Sequence, residues 1–210
     1  MSPALAELAE DIAARARGRR RLVVAIAGAP GSGKSTLAAG LVAQLEGPDR
    51  RGAVLVPMDG FHFDDAVLDE RGLRARKGAP ETFDVAGLGV MLQRIRSGED
   101  AIAVPVFDRS LELSRAGARI VGADQPIVVV EGNYLLLDLA PWAALAPYFD
   151  RTIFIDVPEN VLRERLIRRW LDFGFDADAA RARAEGNDLV NARLVMTSSR
   201  AADRVWNRAA

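Results

Sequence analysis

The sequence predicts an α/β protein built on a three-layer, doubly wound parallel sheet. Continuous apolar runs recur along the chain, and stretches with helical spacing separate most of them. Such runs are typical of parallel strands that are buried on both faces, and their alternation with helices predicts a ligand crevice at the carboxyl ends of the strands. The predicted strands are LVVAIA, AVLVPMD, AIAVPVFD, PIVVVEG and RTIFIDV. With 210 residues, half of them hydrophobic, the chain is expected to form one domain, residues 1–210.

Helices are predicted where the apolar residues change to a period near 3.6. Residues 3–17 carry apolar side chains at that spacing, a second helix is expected at about 35–45, and a third begins at Pro158. The apolar stretch 134–149 is interrupted by prolines, so it predicts a loop and a short helix rather than a membrane span.

Composition excludes several classes of function. The formal net charge of −1 argues against a protein that wraps nucleic acid through bulk electrostatics. Zero cysteines exclude a disulfide scaffold, and with one histidine a zinc site is not expected. We therefore expect a cytoplasmic protein with no nucleic-acid or membrane partner, and a homodimer is compatible with the sequence.

The stretch GAPGSGKST directly follows the first apolar run and matches the pattern G-x-x-x-x-G-K-[ST]. An ordinary strand-to-helix turn is the alternative, but the motif lies between a buried strand and a helix, as phosphate binding requires. Backbone N–H groups and the helix N-terminus would then surround the phosphates. The predicted phosphate-binding residues are Gly28, Ala29, Pro30, Gly31, Ser32, Gly33, Lys34, Ser35 and Thr36.

Two carboxylates follow apolar strands beside this motif. Glu131 ends PIVVVEG, where a charge has no structural reason to lie unless it faces the crevice, and Asp59 ends AVLVPMD. This pair fits a division of labour in which Glu131 with Ser35 anchors Mg²⁺ and Asp59 accepts a proton from an attacking hydroxyl. The alternative for each acid is a polar strand end that meets solvent.

Six segments taken together carry a resemblance to a known family. They are GAPGSGKST, MDGFH, RKGAPETFD, PVFDR, VVVEGNY and FIDVPENVLRERLIRRW. From about residue 22 to 205 the chain resembles the P-loop kinase superfamily that contains phosphoribulokinase, uridine kinase and bacterial-type pantothenate kinase. Within it, the chain is most similar to a branch labelled nucleoside, pantothenate or fructose-transport-system kinases. The resemblance implies a P-loop NTPase fold with a small lid, and ATP with Mg²⁺ as cofactors.

The resemblance also implies roles for single residues. Asp59 matches the catalytic base, Lys34 and Ser35 the phosphate and magnesium groups, and Glu131 the acid at the strand end. The implied lid covers about 159–188, where Arg165 and Arg169 lie four apart on one helical face and would close over the transferred phosphate. A basic, solvated helix face is the alternative.

An insertion follows Asp59 and suits a flap that closes on substrate, at about residues 60–84. For His62, the single histidine, substrate contact and local packing are equally open. The candidates to line the acceptor pocket are His62, Arg76, Lys77, Phe107, Asp108, Arg109, Asn133 and Tyr134.

Two functions follow from these residues. The first is an ATP-dependent kinase that transfers the γ-phosphate to a hydroxyl of a small metabolite, with a fructose-like sugar slightly favoured over pantothenate or a nucleoside. The second is a nucleotide-binding switch or chaperone ATPase without an acceptor. An ATPase switch has no need of Asp59 and an acceptor flap, and the guanine-binding N-K-x-D loop of a G protein does not occur in the expected place.

Overall fold

Five parallel strands form the central sheet of the computed structural model, which describes residues 3–46 and 52–207. The first and last residues of the predicted domain lie outside this range. The strands are β1 (Leu22–Gly28), β2 (Ala53–Pro57), β3 (Ile102–Asp108), β4 (Leu113–Val121), β5 (Ile127–Gly132), β6 (Arg151–Asp156) and β7 (Arg204–Asn207). The central sheet has the order β2-β5-β1-β6-β7, which confirms the α/β class and the parallel sheet.

The predicted helices agree with the structure to within about a residue at their ends. Three of the observed helices, α1, α2 and α5, are the predicted ones, and for α5 only the start was predicted. The helices of the structure are α1 (Pro3–Ala16), α2 (Lys34–Leu45), α3 (Asp65–Glu70), α4 (Val85–Ser97), α5 (Glu159–Asp172), α6 (Ala177–Arg183) and α7 (Leu189–Ser198). A π-helical turn, Ala184–Asp188, joins α6 to α7, and a short 3₁₀ helix, Trp142–Tyr148, lies in the apolar stretch where one was predicted. Among the described helices, none combines the length and apolar character needed to cross a membrane.

Two apolar cores hold the three layers together. All seven residues of β1 are buried, and their side chains alternate between the two faces of the sheet. Val24 and Ile26 pack with α1, α2 and α5 on one face, whereas Val23 and Ala25 pack with α4 on the other. This burial on both faces explains why the strand reads as an unbroken apolar run.

The strand register places three chain segments at one edge of the sheet. Ile26 of β1 pairs with Glu131 of β5, and Glu131 also pairs with Pro57 of β2. The glycine-rich loop after β1, the acid of β5 and the turn after β2 therefore meet at neighbouring strand ends. This edge is the one at which a doubly wound sheet binds ligands.

The prediction that AIAVPVFD is a parallel strand of the central sheet is wrong. This segment, β3, pairs antiparallel with β4 in a separate two-stranded sheet. Ile102 and Val104 are buried but Ala103 between them is exposed, so only one face packs on the core. The register shifts at Pro105, which has no N–H to donate to a strand ladder. The partner β4 was not predicted, since most of it is exposed and it lacks an apolar run.

The turn after β2 packs tightly against β3, which makes Gly60 a test of this arrangement. A Cβ on Gly60 would lie 2.4 Å from the carbonyl oxygen of Pro105, a backbone atom that cannot swing aside. We expect Gly60→Ala to lower the free energy of unfolding by about 1–3 kcal/mol, the usual cost of overpacking. Urea unfolding followed by circular dichroism measures the change.

Gly89→Ala is the matched control, because Gly89 lies inside α4 and its added Cβ would meet Leu145 Cδ2 at 3.5 Å, an ordinary contact. Alanine is favoured over glycine inside a helix by about 0.5–1 kcal/mol, so this variant should be as stable as the wild type or more so. Equal stability of Gly60→Ala and the wild type would contradict the close packing of turn and hairpin.

Candidate active site

The glycine-rich loop forms a small pocket at the N-terminus of α2. Gly33, the residue before the helix, has φ 93° and ψ 24°, a left-handed conformation that favours glycine. The pocket has a volume of about 270 Å³. Its lining residues are Pro30, Gly31, Gly33, Lys34, Ser35, Thr36, Asp59, Arg109, Glu131, Gly132, Asn133 and Arg169. Its size, its backbone N–H groups and the helix N-terminus suit a chain of phosphates.

Three residues of the predicted phosphate loop do not line this pocket. Ala29 and Ser32 are buried, and a Cβ on Gly28 would lie 2.9 Å from the carbonyl oxygen of Ile155 on the neighbouring strand. These three residues pack against the body of the protein and not toward the pocket. Six of the nine residues predicted from the motif therefore line the pocket, and the other three lie outside its lining.

Lys34 is a buried cation that lines the pocket. Its side chain is 7% exposed, and Nζ donates to the carbonyl oxygen of Ala29 at 3.0 Å. Burial lowers the pKa of Lys34 to about 8, against the opposing effect of the carboxylates of Glu131 and Asp59. An ammonium group held in this way has lost hydration that a phosphate oxygen can replace.

Ser35 and Glu131 bring two oxygen donors together beside Lys34. Ser35 Oγ donates to Glu131 Oε1 at 3.3 Å, and Glu131 is 7% exposed. Burial raises the pKa of Glu131, partly offset by the Lys34 ammonium. These hard oxygen ligands fit Mg²⁺, which binds through one or two protein side chains together with substrate phosphates.

Asp59 lies in a 3₁₀ turn, Met58–Phe61, directly after β2 rather than in the strand itself. Arg109, which follows β3, donates from Nη2 to Asp59 Oδ2 at 2.5 Å. Both residues line the phosphate pocket and also a second, larger cleft. The Asp59 carboxylate therefore lies at the junction of two binding spaces.

The larger cleft has a volume of about 1150 Å³ and is bounded by the segments predicted as flap and lid. Of the predicted acceptor residues, His62, Lys77, Phe107, Arg109 and Asn133 line it. The segments also contact each other: Arg76 Nη1 donates to Asn187 Oδ1 at 2.8 Å, and Asn187 Nδ2 donates to the carbonyl of Lys77 at 3.0 Å.

Three predicted acceptor residues do not line the cleft. Tyr134 is fully buried, packs against Trp142 and donates its hydroxyl to the carbonyl of Gly78 at 2.6 Å. Asp108 accepts from the backbone N–H and the hydroxyl of Ser110 in the turn between β3 and β4. Arg76 joins flap and lid, as described above. All three have structural partners that the sequence did not reveal.

His62 both packs and faces the cleft. Its ring lies 3.9 Å from the ring of Phe83 and 5.0 Å from that of Phe107, measured between centroids. Nδ1 lies 2.9 Å from the backbone carbonyl of Asp59. Because a carbonyl only accepts, Nδ1 carries the proton and Nε2 of the neutral ring remains an acceptor.

The two lid arginines have different surroundings. Arg169 lines both the phosphate pocket and the cleft, and its Nη2 donates to Asp188 Oδ2 at 2.8 Å. The same oxygen accepts from Trp170 Nε1 at 2.7 Å, so the buried Asp188 carboxylate fixes two neighbouring side chains. Arg165 lines neither space and donates to the carbonyl of Gly31 at 3.3 Å, behind the loop.

Sequence reasoning missed several residues of the cleft. They are Trp170, Phe173, Phe175, Arg183 and Asp188, all from the lid segment. The aromatic cluster in WLDFGF, directly after Arg169, was the signal that could have identified the first three. The residues next to Asp188 in the sequence do not indicate its role, because its partner Arg169 lies 19 positions away.

Comparison with known proteins places these residues in a family. Residues 23–187 match the family described as phosphoribulokinase / uridine kinase. The chain is 41% identical to "Uncharacterized protein YggC" of Escherichia coli (strain K12), over 89% of this chain and 78% of that protein. It is 32% identical to the pantothenate kinase of Yersinia enterocolitica, and this match covers 72% of this chain and 50% of that enzyme.

A solved structure covers almost the whole fold. The "putative fructose transport system kinase" from Silicibacter sp. TM1040 aligns with a TM-score of 0.91 and 44% sequence identity. The alignment covers 98% of this chain and 99% of that protein.

The environment of His62 leads to a direct measurement. Burial lowers its pKa below the usual 6.5, despite the opposing effect of the Asp59 carboxylate. Below about pH 6.5 the unfolded chain then binds more protons at this residue, so His62 makes the fold less stable as pH falls. Because His62 is the single histidine, one imidazole resonance followed by NMR through a pH titration gives its pKa without ambiguity.

The same titration in urea is the control and should return the ordinary value near 6.5. A folded-state pKa at or above that of the unfolded chain would mean that the ring is solvated or paired with a carboxylate, contrary to the packing described above.

Proposed function

The chain belongs to the phosphoribulokinase/uridine kinase family, and we propose that it transfers the γ-phosphate of ATP to a hydroxyl group of a small metabolite. The observation that carries the proposal is the position of Asp59 on the wall shared by the phosphate pocket and the larger cleft. A hydroxyl in the cleft and a phosphate in the pocket would meet at this carboxylate. A nucleotide switch would have no use for the second space.

The phosphate loop would bind and orient the nucleotide. Its backbone N–H groups and the Lys34 ammonium would hold the outer phosphates, and the buried position of Lys34 strengthens this attraction by excluding water. Ser35 and Glu131 would hold Mg²⁺, which when bound neutralises phosphate charge. The chain thus supplies a positive pocket at the place where negative charge builds up.

Asp59 would orient the acceptor hydroxyl and receive its proton. Its Oδ2 is bonded to Arg109, so Oδ1 is the oxygen proposed to face the hydroxyl. Holding the hydroxyl and the phosphate in line makes the transfer effectively intramolecular. Arg109, which also borders both spaces, would keep the carboxylate in place and balance its charge.

Arg169 would stabilise the negative charge that spreads over the transferred phosphoryl group. It reaches the phosphate pocket from the lid while Asp188 holds its guanidinium. Arg165 would act on the loop itself, because it bonds the backbone at Gly31. We propose the flap, about 60–84, and the lid, about 159–188, as the segments that close over the bound acceptor.

Among acceptors we place a fructose-like sugar ahead of pantothenate or a nucleoside. The Silicibacter protein, whose description names fructose transport, matches from end to end, whereas only half of the pantothenate kinase is matched. A screen of ATP consumption against sugars, nucleosides and pantothenate tests the order. A second candidate, an acceptor-free ATPase, is favoured by none of the contacts around Asp59.

Asp59→Asn separates the kinase from an acceptor-free ATPase. The change keeps the size of the side chain but removes the negative charge that accepts the proton. Phosphorylation of the acceptor found in the screen should fall by roughly 10²–10⁴, the usual worth of a general base. Nucleotide affinity, measured by calorimetric titration, should stay within a few-fold, because nucleotide binding does not use this proton acceptor.

Asp64→Asn is the matched control, since Asp64 is exposed, caps α3 through Ala66 N and lines neither space. Its turnover should equal that of the wild type. Unchanged ATP hydrolysis in Asp59→Asn would favour the acceptor-free ATPase. Parallel loss of nucleotide binding and phosphoryl transfer would indicate that Asp59 is a metal ligand.

Asp188→Asn tests whether this acid positions Arg169. Loss of its charge should lower kcat by roughly 10–100-fold, the worth of a hydrogen bond to a charged group, with a smaller change in KM for ATP. The variant Glu185→Gln is the control, because Glu185 lies in the same π-helical turn and pairs with Arg163 outside the cleft.

A double-mutant cycle distinguishes positioning from a merely structural role. If Asp188 acts through Arg169, adding Asp188→Asn to Arg169→Ala should cost little further activity. Additive losses, or equal kcat values for Asp188→Asn and Glu185→Gln, would contradict the positioning role.

A further inference from the structure

The lid forms an aromatic wall on one side of the cleft. Trp170 packs edge-on against Phe173 and Phe175, with ring centroids 5.8 and 5.3 Å apart. Phe173 is 58% exposed although it is a large apolar residue. The guanidinium of Arg183 lies 5.0 Å from the centre of the Trp170 ring and 4.6 Å from that of Phe175.

The charges that line the cleft do not balance. Five cationic residues face three carboxylates there. The cations are Arg74, Lys77, Arg109, Arg169 and Arg183, and the carboxylates are Asp59, Glu112 and Asp188. Ion pairs join Arg109 to Asp59 and Arg169 to Asp188, and Asp65 pairs with both Lys77 and Arg74. Within the described parts of the chain, Arg183 has aromatic neighbours but no carboxylate partner.

A helix end does not explain Arg183. Basic residues often occupy the last turn of a helix, where they offset its negative dipole end. Here Arg183 is the last residue of α6, but the chain continues through the π-helical turn into α7 without leaving helical conformation. Arg183 therefore lies inside one helical run, and no free carbonyl end accounts for its charge.

Nucleotide phosphates do not explain Arg183 either. Arg109 and Arg169 line the phosphate pocket, whereas Arg183 lines only the larger cleft. The central carbon of its guanidinium lies 5.0 and 4.6 Å from the centres of two aromatic rings, which contact the cation but offer no hydrogen-bond acceptor for its N–H groups. A planar set of donors held in this way matches a carboxylate or a phosphate, which it can bind with two parallel hydrogen bonds.

We infer that the acceptor carries an anionic group, a carboxylate or a phosphate monoester, which Arg183 binds on the aromatic lid wall. The inference rests on the proposed function and narrows its substrate class from hydroxylated metabolites to hydroxylated anions. Among fructose-like acceptors it therefore favours one that bears an acidic group over the neutral sugar. A volume of about 1150 Å³ leaves room for such an extended acceptor, since it slightly exceeds the range of about 300–1,000 Å³ that is usual for ligand pockets. Arg183 is exposed, so a neutral sugar bound beside it would displace water from this cation without supplying a charged partner.

Calorimetric titration in the presence of Mg²⁺ and ADP tests the inference without requiring turnover. The probes are fructose, gluconate and fructose 6-phosphate, which present a neutral, a carboxylate and a phosphate form of a hexose-sized polyol. We expect at least one anion to bind about tenfold or more tightly than fructose, as a hydrogen-bonded charge pair predicts. Comparing the two anions shows which group the site prefers.

Arg183→Gln should weaken binding of that anion by roughly 10–100-fold and should reduce its advantage over fructose. Arg183→Lys should recover part of the affinity, because it restores the charge without the planar donors. The matched control is Arg181→Gln: Arg181 lies in the same helix and is exposed like Arg183, but it does not line the cleft. It should leave anion binding unchanged.

Equal binding of fructose and both anions, or equal losses in Arg183→Gln and Arg181→Gln, would overturn the inference. Failure of the proposed function is distinguishable, because it is measured as the absence of phosphoryl transfer to every acceptor in the screen and to the two anionic probes. Arg183-dependent anion binding without transfer would keep the site and reject the kinase.

Discussion

Parallel pairing of β1 with β5 is the constraint on which the site depends. It aligns Ile26 with Glu131, so the loop that follows β1 closes beside a carboxylate at the end of β5. Pairing of β2 with β5 then brings the Asp59 turn to the same edge. Because every residue of β1 and β5 is buried, a shift in register between these strands would expose apolar side chains as well as separate the polar ones. Core packing therefore fixes the geometry of the chemistry.

Burial acts in opposite directions on the two charged groups at this edge. It lowers the pKa of Lys34 and raises that of Glu131, since both lose hydration that stabilised their charged forms. The charge of each residue partly offsets the pKa shift that burial causes in the other. The offset is incomplete, so the net shift of each pKa still follows burial. Anionic phosphates and a divalent cation would supply charged partners, so the cost of burying both groups is offset when the proposed nucleotide complex forms.

Features that depend on residues adjacent in the sequence could be predicted, whereas features that depend on contacts between distant segments could not. The glycine-rich loop after β1, the place of Glu131 at a strand end and the helices α1, α2 and α5 were predictable, because each is specified by neighbouring residues: a fixed spacing, a strand end, a 3.6-residue period. The position of β3 could not be predicted, since an apolar run of this kind is compatible both with a strand of the central sheet and with a hairpin that packs on the core through one face. Tyr134, Asp188 and Arg183 depend on partners or surfaces from distant segments, and a single sequence does not show which segments meet.

The helical run from α6 to α7 links the two proposed binding events. Arg183 and Asp188 stand at either end of the π-helical turn, one on the acceptor wall and the other on Arg169. Asn187, in the same turn, bonds the flap at Arg76 and at the carbonyl of Lys77. An acceptor that binds Arg183 would therefore stabilise the turn that holds both the flap and the phosphate-facing arginine. Binding energy at the far end of the acceptor could in this way be used to position the group that acts on the transferred phosphate.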